Sequence, residues 1–219
     1  MKSNRFTLPL CLLLTVPMLA QGQEELLEPD GGPVLEAYAN DDDALQILLG
    51  AGGRLDNGVG YIYLSHFKTE GRASATSQSR DAAIVAGEQR VNDYRSTRLG
   101  FYAEGHDRDT GEGFGGGLFL YNNVSDVELD RYGAGVTMDL AHVVADRFRL
   151  YAGFDLMPGF LSTDWSADAA LEYEWHAGAR VLITQSVDIG IQWRAGRTWD
   201  PSYRTRQYED VMAGLRIAF

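Results

Sequence analysis

The residues that could do chemistry in this chain are few and far apart. The four histidines are His66, His106, His142 and His176, and none stands at metal-ligand spacing from another. His66 directly follows Ser65, and a serine with a histidine and an acid is the catalytic unit of many hydrolases. Neighbouring side chains on a strand point to opposite faces, so Ser65 and His66 cannot meet directly. The histidines therefore indicate no catalytic centre.

Two acidic stretches could hold a cation. "HDRDTGEG" places Asp107, Asp109 and Glu112 among glycines, but a helix-loop-helix calcium site needs a carboxylate at its twelfth position, where this chain has Leu118. The run 41–43 is all aspartate and could bind divalent cations, although a solvated turn explains it as well. No P-loop, dinucleotide fingerprint or GxSxG elbow is present. We predict no enzyme activity, no cofactor and no metal.

The elements that position these residues are clearest at the end of the chain, "YEDVMAGLRIAF". Side chains on a strand alternate between two faces. One face is apolar and ends in an aromatic residue: Val211, Ala213, Leu215, Ile217 and Phe219. The other face carries both signs of charge. Such a strand faces a soluble core with its apolar side, or it faces lipid in a membrane barrel whose lumen is polar.

The beginning of the chain favours export. Lys2 and Arg5 precede an apolar stretch from Phe6 to Ala20, which is the pattern of a signal peptide, so we predict a signal peptide at 1–20 and one domain at 21–219. The only cysteine, Cys11, would be removed with it. No other stretch approaches the ~18 consecutive apolar residues that indicate a transmembrane helix.

The charge excludes some partners. Removing Lys2 and Arg5 from 19 basic residues leaves 17 against 31 acidic ones, so the mature chain has a net charge of −14. This argues against nucleic acid as a partner.

Alternating segments recur through the whole mature chain and predict an all-β protein, an antiparallel up-and-down transmembrane β-barrel of ten strands, with eight as the alternative. With Phe219 placed at the periplasmic end, the connections on that side are short. Those on the other side are mostly longer and include the 29-residue stretch 68–96. We consider that "DAAIVAGEQRV", within this stretch, could form a short helix.

The hairpin over 172–196 allows the lumen to be predicted. Pairing Ile183 with Val187 places His176 opposite Arg194 on the polar face. It also makes Glu174 and Arg194 diagonal neighbours, like Arg180 and Asp188, and diagonal pairs are within reach of arginine. We predict that ion pairs fill the lumen, formed by Glu172, Glu174, His176, Arg180, Asp188, Arg194 and Arg216.

The stretches "NDDDALQILLGAGGRLDNGVGY" and "LRLYAGFDLMPGFLSTDWSADAALEYEWHAGARVLITQSVDIGIQWR" resemble the YfaZ family of Gram-negative outer-membrane proteins. The resemblance covers most of the mature chain. It implies an outer-membrane barrel of unsettled function and brings no catalytic residues to carry over to this chain. The alternating C-terminal residues from Val211 to Phe219 resemble the signal that the outer-membrane assembly machinery recognises.

We therefore expect a monomeric outer-membrane barrel in contact with lipid and lipopolysaccharide. It would be structural or form a narrow polar path for a solute, and its extracellular loops would be available for binding. Two alternatives stay open: a lipid-modifying or hydrolytic barrel enzyme, and a soluble periplasmic barrel with its apolar face inside around an apolar ligand.

Overall fold

The computed structural model describes residues 32–41, 43–55, 58–70, 88–90, 93–107, 110–125, 130–144, 147–163, 171–184, 186–199 and 204–219. The predicted signal peptide lies outside this part of the chain. The described elements are a 3-10 helix, Gly159–Leu161, and eleven strands: β1 Pro33–Ala39, β2 Leu45–Leu55, β3 Gly58–Glu70, β4 Glu88–Arg90, β5 Asp93–His106, β6 Glu112–Ser125, β7 Arg131–Val144, β8 Phe148–Pro158, β9 Leu171–Leu182, β10 Val187–Trp199 and β11 Arg204–Ala218.

Ten of these strands close into a barrel, which confirms the predicted architecture and rules out eight strands. Apart from β4, each strand pairs antiparallel with the next one along the chain, and β1 pairs antiparallel with β11 to complete the circle. This closing ladder has six paired positions, from Val34 opposite Ala218 to Ala39 opposite Ala213. The Phe219 N–H also donates to the Pro33 carbonyl at 2.9 Å. Both described chain ends therefore lie at one end of the barrel, called here the terminus end.

The strands are longer than predicted at the opposite end, called here the loop end. β5 begins at Asp93, although the sequence placed 93–96 in the long connection 68–96, and β6 continues to Ser125 at the same end. Backbone pairing continues there because a ladder needs no apolar side chains, and alternation was the signal used to place the ends. The helix considered for "DAAIVAGEQRV" is wrong at Glu88–Arg90, which pairs parallel with β11. The rest of that stretch lies outside the described residues.

The two faces of the wall differ sharply in chemistry. Large apolar side chains on the outer face are well exposed, as at Ile62 (64%), Leu118 (65%) and Leu140 (64%), whereas charged side chains occupy the interior. A soluble barrel with its apolar face inside has the reverse arrangement, so the structure does not support that alternative. No helix in the described part of the chain is long and apolar enough to cross a bilayer.

Candidate functional site in the barrel lumen

The middle of the lumen is crossed by the central charge layer, defined here as Arg98, Asp155, Glu174 and Arg194. Arg98 on β5 reaches across the barrel, and its guanidinium donates to Asp155 of β8 at 2.5 Å and to Glu174 of β9 at 2.8 Å. Arg194 on β10 donates to the other oxygen of Glu174. Arg98 thus joins β5 to two strands that are not its neighbours in the wall, whereas Arg194 and Glu174 lie on adjacent strands.

Neutral groups complete this layer. Arg194 also donates to the Gln46 side-chain oxygen on β2 at 2.6 Å, and the Tyr208 hydroxyl of β11 donates to Glu174. The guanidinium carbon of Arg98 lies 4.9 Å from the ring centre of Phe119, a cation–π distance. Buried ions are tolerated only when such contacts replace the water that they lose.

An aromatic and polar layer closes the loop end above it. The rings of Phe67 and Tyr94 lie 4.7 and 4.9 Å from the ring of Tyr208, all three being buried. Beside them Glu172 accepts from the Asn123 side chain at 2.8 Å, and the Nε of Arg131 lies 3.6 Å from Glu172. The Glu172 carboxylate is thus held by side chains of other strands instead of by solvent.

The terminus-side layer, defined by its ion pairs, is more open. Arg180 binds Glu36 with two hydrogen bonds of 3.0 and 3.3 Å. Arg216 lies 3.4 Å from Glu36 and 3.6 Å from Asp188. The pairs Arg149–Glu104 and His176–Asp139 belong to the same layer.

Side-chain exposure rises along the barrel axis. It is 0–1% for Arg131 and Glu172, 1–7% in the central charge layer and 11–18% in the terminus-side layer. A cavity of about 190 Å³ is lined by residues of the central charge layer and of the terminus-side layer, including Arg98, Arg180 and Arg194. The lumen is therefore a cup that is closed at the loop end and accessible from the terminus end.

Glycines on the inner face make room for aromatic rings of the neighbouring strand. A methyl group at Gly178 would overlap the Tyr151 hydroxyl, and one at Gly135 would overlap the Phe119 ring. In the strand register, Gly178 is directly opposite Tyr151 and Gly135 is directly opposite Phe119. The interior is thus crowded in a definite way, in which aromatic rings lie over glycines.

The structure has the predicted register of the β9–β10 hairpin, with His176 opposite Arg194 and Arg180 opposite Gly190. Glu174 and Arg194 form an ion pair, as the diagonal placement suggested. Arg180, however, binds Glu36 of β1 instead of Asp188. Its side chain passes over Gly190, where a methyl group would lie 2.9 Å from the Arg180 Cγ, and this small residue lets it reach across the lumen.

The remaining predicted lumen residues, Glu172 and Arg216, also face inward, but in different layers. Sequence reasoning missed Arg98, Asp155 and Glu36 as members of the network. All three stand on polar faces of predicted strands, so alternation could have pointed to them. Their partners lie across the lumen, which neighbour-to-neighbour register does not reveal.

The other residues considered for catalysis or cation binding do not form a site in the described part of the chain. His66 is exposed on the outer face, where its Nδ1 lies 3.0 Å from the Thr97 hydroxyl, while Ser65 lines the inner cavity. Asp107 accepts from the Thr110 N–H at 3.4 Å within the turn between β5 and β6. Asp109 lies outside the described residues.

One cluster has metal-ligand geometry: ligand atoms of Asp155, Glu174 and His176 lie within 4.8 Å of one another. Arg98 binds both carboxylates, and Arg194 binds Glu174. A metal cation would have to compete with two guanidinium groups already in contact. The cluster is better described as part of the ion-pair network.

The comparisons with known proteins matched this chain to solved structures alone. No protein-family model and no curated protein matches it. KdgM porin is 7% identical with a TM-score of 0.40, and the match covers 85% of this chain and 98% of that one. Neisserial surface protein A is 12% identical with a TM-score of 0.33, over 86% and 94%. OmpT of Vibrio cholerae, in its trimer form, is 10% identical with a TM-score of 0.37, over 84% of this chain and 60% of that one.

The ten-stranded closed wall, apolar outside and ion-paired inside, is the fold of an outer-membrane-type β-barrel. Within that class, the resemblance to the YfaZ family stays a prediction.

Proposed function

We propose that this protein is a monomeric, non-enzymatic outer-membrane barrel with an occluded lumen that leaves at most a narrow polar path. Its loop end faces the cell exterior and its terminus end faces the periplasm, because outer-membrane barrels have their short turns on the periplasmic side. Lipid and lipopolysaccharide surround it, and the outer-membrane assembly machinery recognises the strand that ends at Phe219. Membership of the YfaZ family is part of the proposal.

The central charge layer is the observation that carries this proposal. An open diffusion pore has a polar lumen filled with water, whereas here Glu174 is 1% exposed and bridges two arginines from opposite sides. A solute would have to break ion pairs that lie in a poorly solvated space, where opposite charges attract strongly. Passage is therefore restricted to small polar solutes or ions, and it requires these side chains to rearrange.

Single-channel recording of the purified, refolded protein tests the proposal. We expect low or no conductance from the wild type and a clear rise in Arg194→Ala, with a smaller rise in Arg180→Ala because Arg180 lies in the more open layer. Arg147→Ala, in the exposed turn before β8, is the control and should behave like the wild type. Large, steady conductance from the wild type that neither lumen variant changes would contradict the proposal.

The enzyme alternative is tested separately. His66 and His176 are the histidines whose substitution tests it, and they lie on opposite faces of the wall. The wild type should not turn over lipid A or an acyl ester. Alanine substitution of either histidine should therefore change nothing in these assays. Turnover by the wild type that disappears in either variant would make the protein an enzyme.

A further inference from the structure

The outer face of β3 and β5 carries an ordered series of side-chain pairs. Following the register from the apolar belt towards the loop end, the pairs are Leu64 with Leu99, His66 with Thr97, Lys68 with Arg95 and Glu70 with Asp93. The chemistry thus changes from apolar to neutral polar, then to two cations and finally to two anions. All but Lys68 and Thr97 are well exposed, and the Lys68 side chain is 40% exposed.

The pairing of like charges is unusual. Residues directly opposite on antiparallel strands have Cβ atoms about 4.5–5.5 Å apart, so like charges there repel each other. Exchanging Lys68 with Glu70 would place an opposite charge across from each of Arg95 and Asp93. The chain instead separates the charges along the membrane normal, with cations nearer the lipid. The 4.0 Å Lys68–Glu70 contact is an exposed pair of the kind that stabilises little.

The spacing of the series matches the layers of a bilayer. Successive outward pairs are two residues apart, or about 6.7 Å along a strand and about 5 Å along the normal at a tilt of about 40°. The cation pair therefore lies about 10 Å beyond the last apolar pair. The polar part of a bilayer extends about 5–7 Å beyond the hydrocarbon on each side. The long side chains of Lys68 and Arg95 can extend towards the membrane, which brings their charged groups to the headgroup phosphates.

We propose that Lys68 and Arg95 form a binding site on the outer wall for the phosphate of an outer-leaflet lipid headgroup. The two cations bind the phosphate oxygens, since charge-assisted hydrogen bonds from arginine and lysine suit this group. His66 and Thr97 lie directly below, at the level of the ester region, and Glu70 with Asp93 lies above the cations, in water. The site rests on the membrane orientation given under Proposed function, and does not depend on whether the lumen conducts.

Binding of lipid A to the folded full-length barrel in non-ionic detergent tests the site. The probes are bisphosphorylated lipid A and dephosphorylated lipid A with the same acyl chains, measured by native mass spectrometry. The wild type should prefer the phosphorylated form by roughly thirtyfold, which corresponds to two basic residues near a lipid surface. Lys68→Gln with Arg95→Gln should abolish most of this preference. Glu70→Gln with Asp93→Asn should keep or increase it.

Arg147→Gln is the matched control, because it removes an exposed arginine from the terminus end. It should keep the wild-type preference, and all variants should show the wild-type gel shift between folded and heated forms. Equal loss in Arg147→Gln, or a preference unchanged in the Lys68 and Arg95 double variant, would overturn the site. So would full competition by an equal concentration of inorganic phosphate, which would indicate an ion site instead of a lipid site.

Discussion

At Glu174 a single carboxylate binds two guanidinium groups and a tyrosine hydroxyl where almost no solvent reaches. Glu174→Gln would leave Arg98 and Arg194 close together with less negative charge between them. Breaking a buried ion pair on one side costs about 3–5 kcal/mol, and we expect a loss of that order in the free energy of unfolding. The urea midpoint of the barrel in detergent measures it.

Glu112→Gln is the control for this prediction. Glu112 is exposed at the start of β6, and surface changes of this kind usually stay within about 0.5 kcal/mol. If both variants unfold at the same urea concentration, the central charge layer does not stabilise the barrel.

Two adjacent glycines on β6 test how tightly the interior is filled. A methyl group at Gly115 would overlap the Tyr102 hydroxyl, whereas one at Gly116 meets only the Thr137 carbonyl oxygen, at 3.4 Å. Gly115→Ala should destabilise the barrel by about 1–3 kcal/mol through overpacking. Gly116→Ala should be neutral or stabilising. Similar urea midpoints for the two variants would show that the side chains around Gly115 move aside for the added methyl group.

At the scale of elements, β11 both closes the barrel and presents an apolar outer face, with Val211 and Phe219 well exposed. We predict that deletion of Phe219 slows membrane insertion and exposes the chain to periplasmic proteases. Phe148→Ser is the control, because it removes an exposed aromatic side chain at the same end without touching the terminus. The measurement is the amount of folded protein in outer membranes after a pulse of synthesis.

A Phe219 deletion that reaches the membrane at the wild-type level would contradict this prediction. Equal defects in the deletion and in Phe148→Ser would show instead that only interfacial aromatic area matters.

Alternation predicted the ten strands and even the register of the β9–β10 hairpin, because one face of each strand must be apolar. It was weaker at strand ends, as at Asp93 and Ser125, where polar residues on both faces hide the ladder. It also failed for Arg180, whose partner Glu36 lies three strands away, beyond β10 and β11. Contacts across a lumen depend on barrel closure and side-chain length, which local pattern does not contain.

For the whole molecule, a closed ladder leaves no edge strand from which unfolding can begin. We predict that the mature protein fractionates with outer membranes and migrates differently on gels before and after heating. Extraction with carbonate should leave it in the membrane pellet. Recovery in the soluble periplasmic fraction without a heat-dependent shift would contradict the membrane assignment.

The closing ladder between β1 and β11 has six paired positions, against thirteen between β3 and β5. Local opening needs least free energy where few backbone hydrogen bonds break together. Amide hydrogens of Val34 to Ala39 should therefore exchange with deuterium sooner than those in the middle of β5, under conditions where the barrel stays folded. Peptide-resolved exchange mass spectrometry would show this order. Uniform protection around the wall would mean that the barrel opens only as a whole.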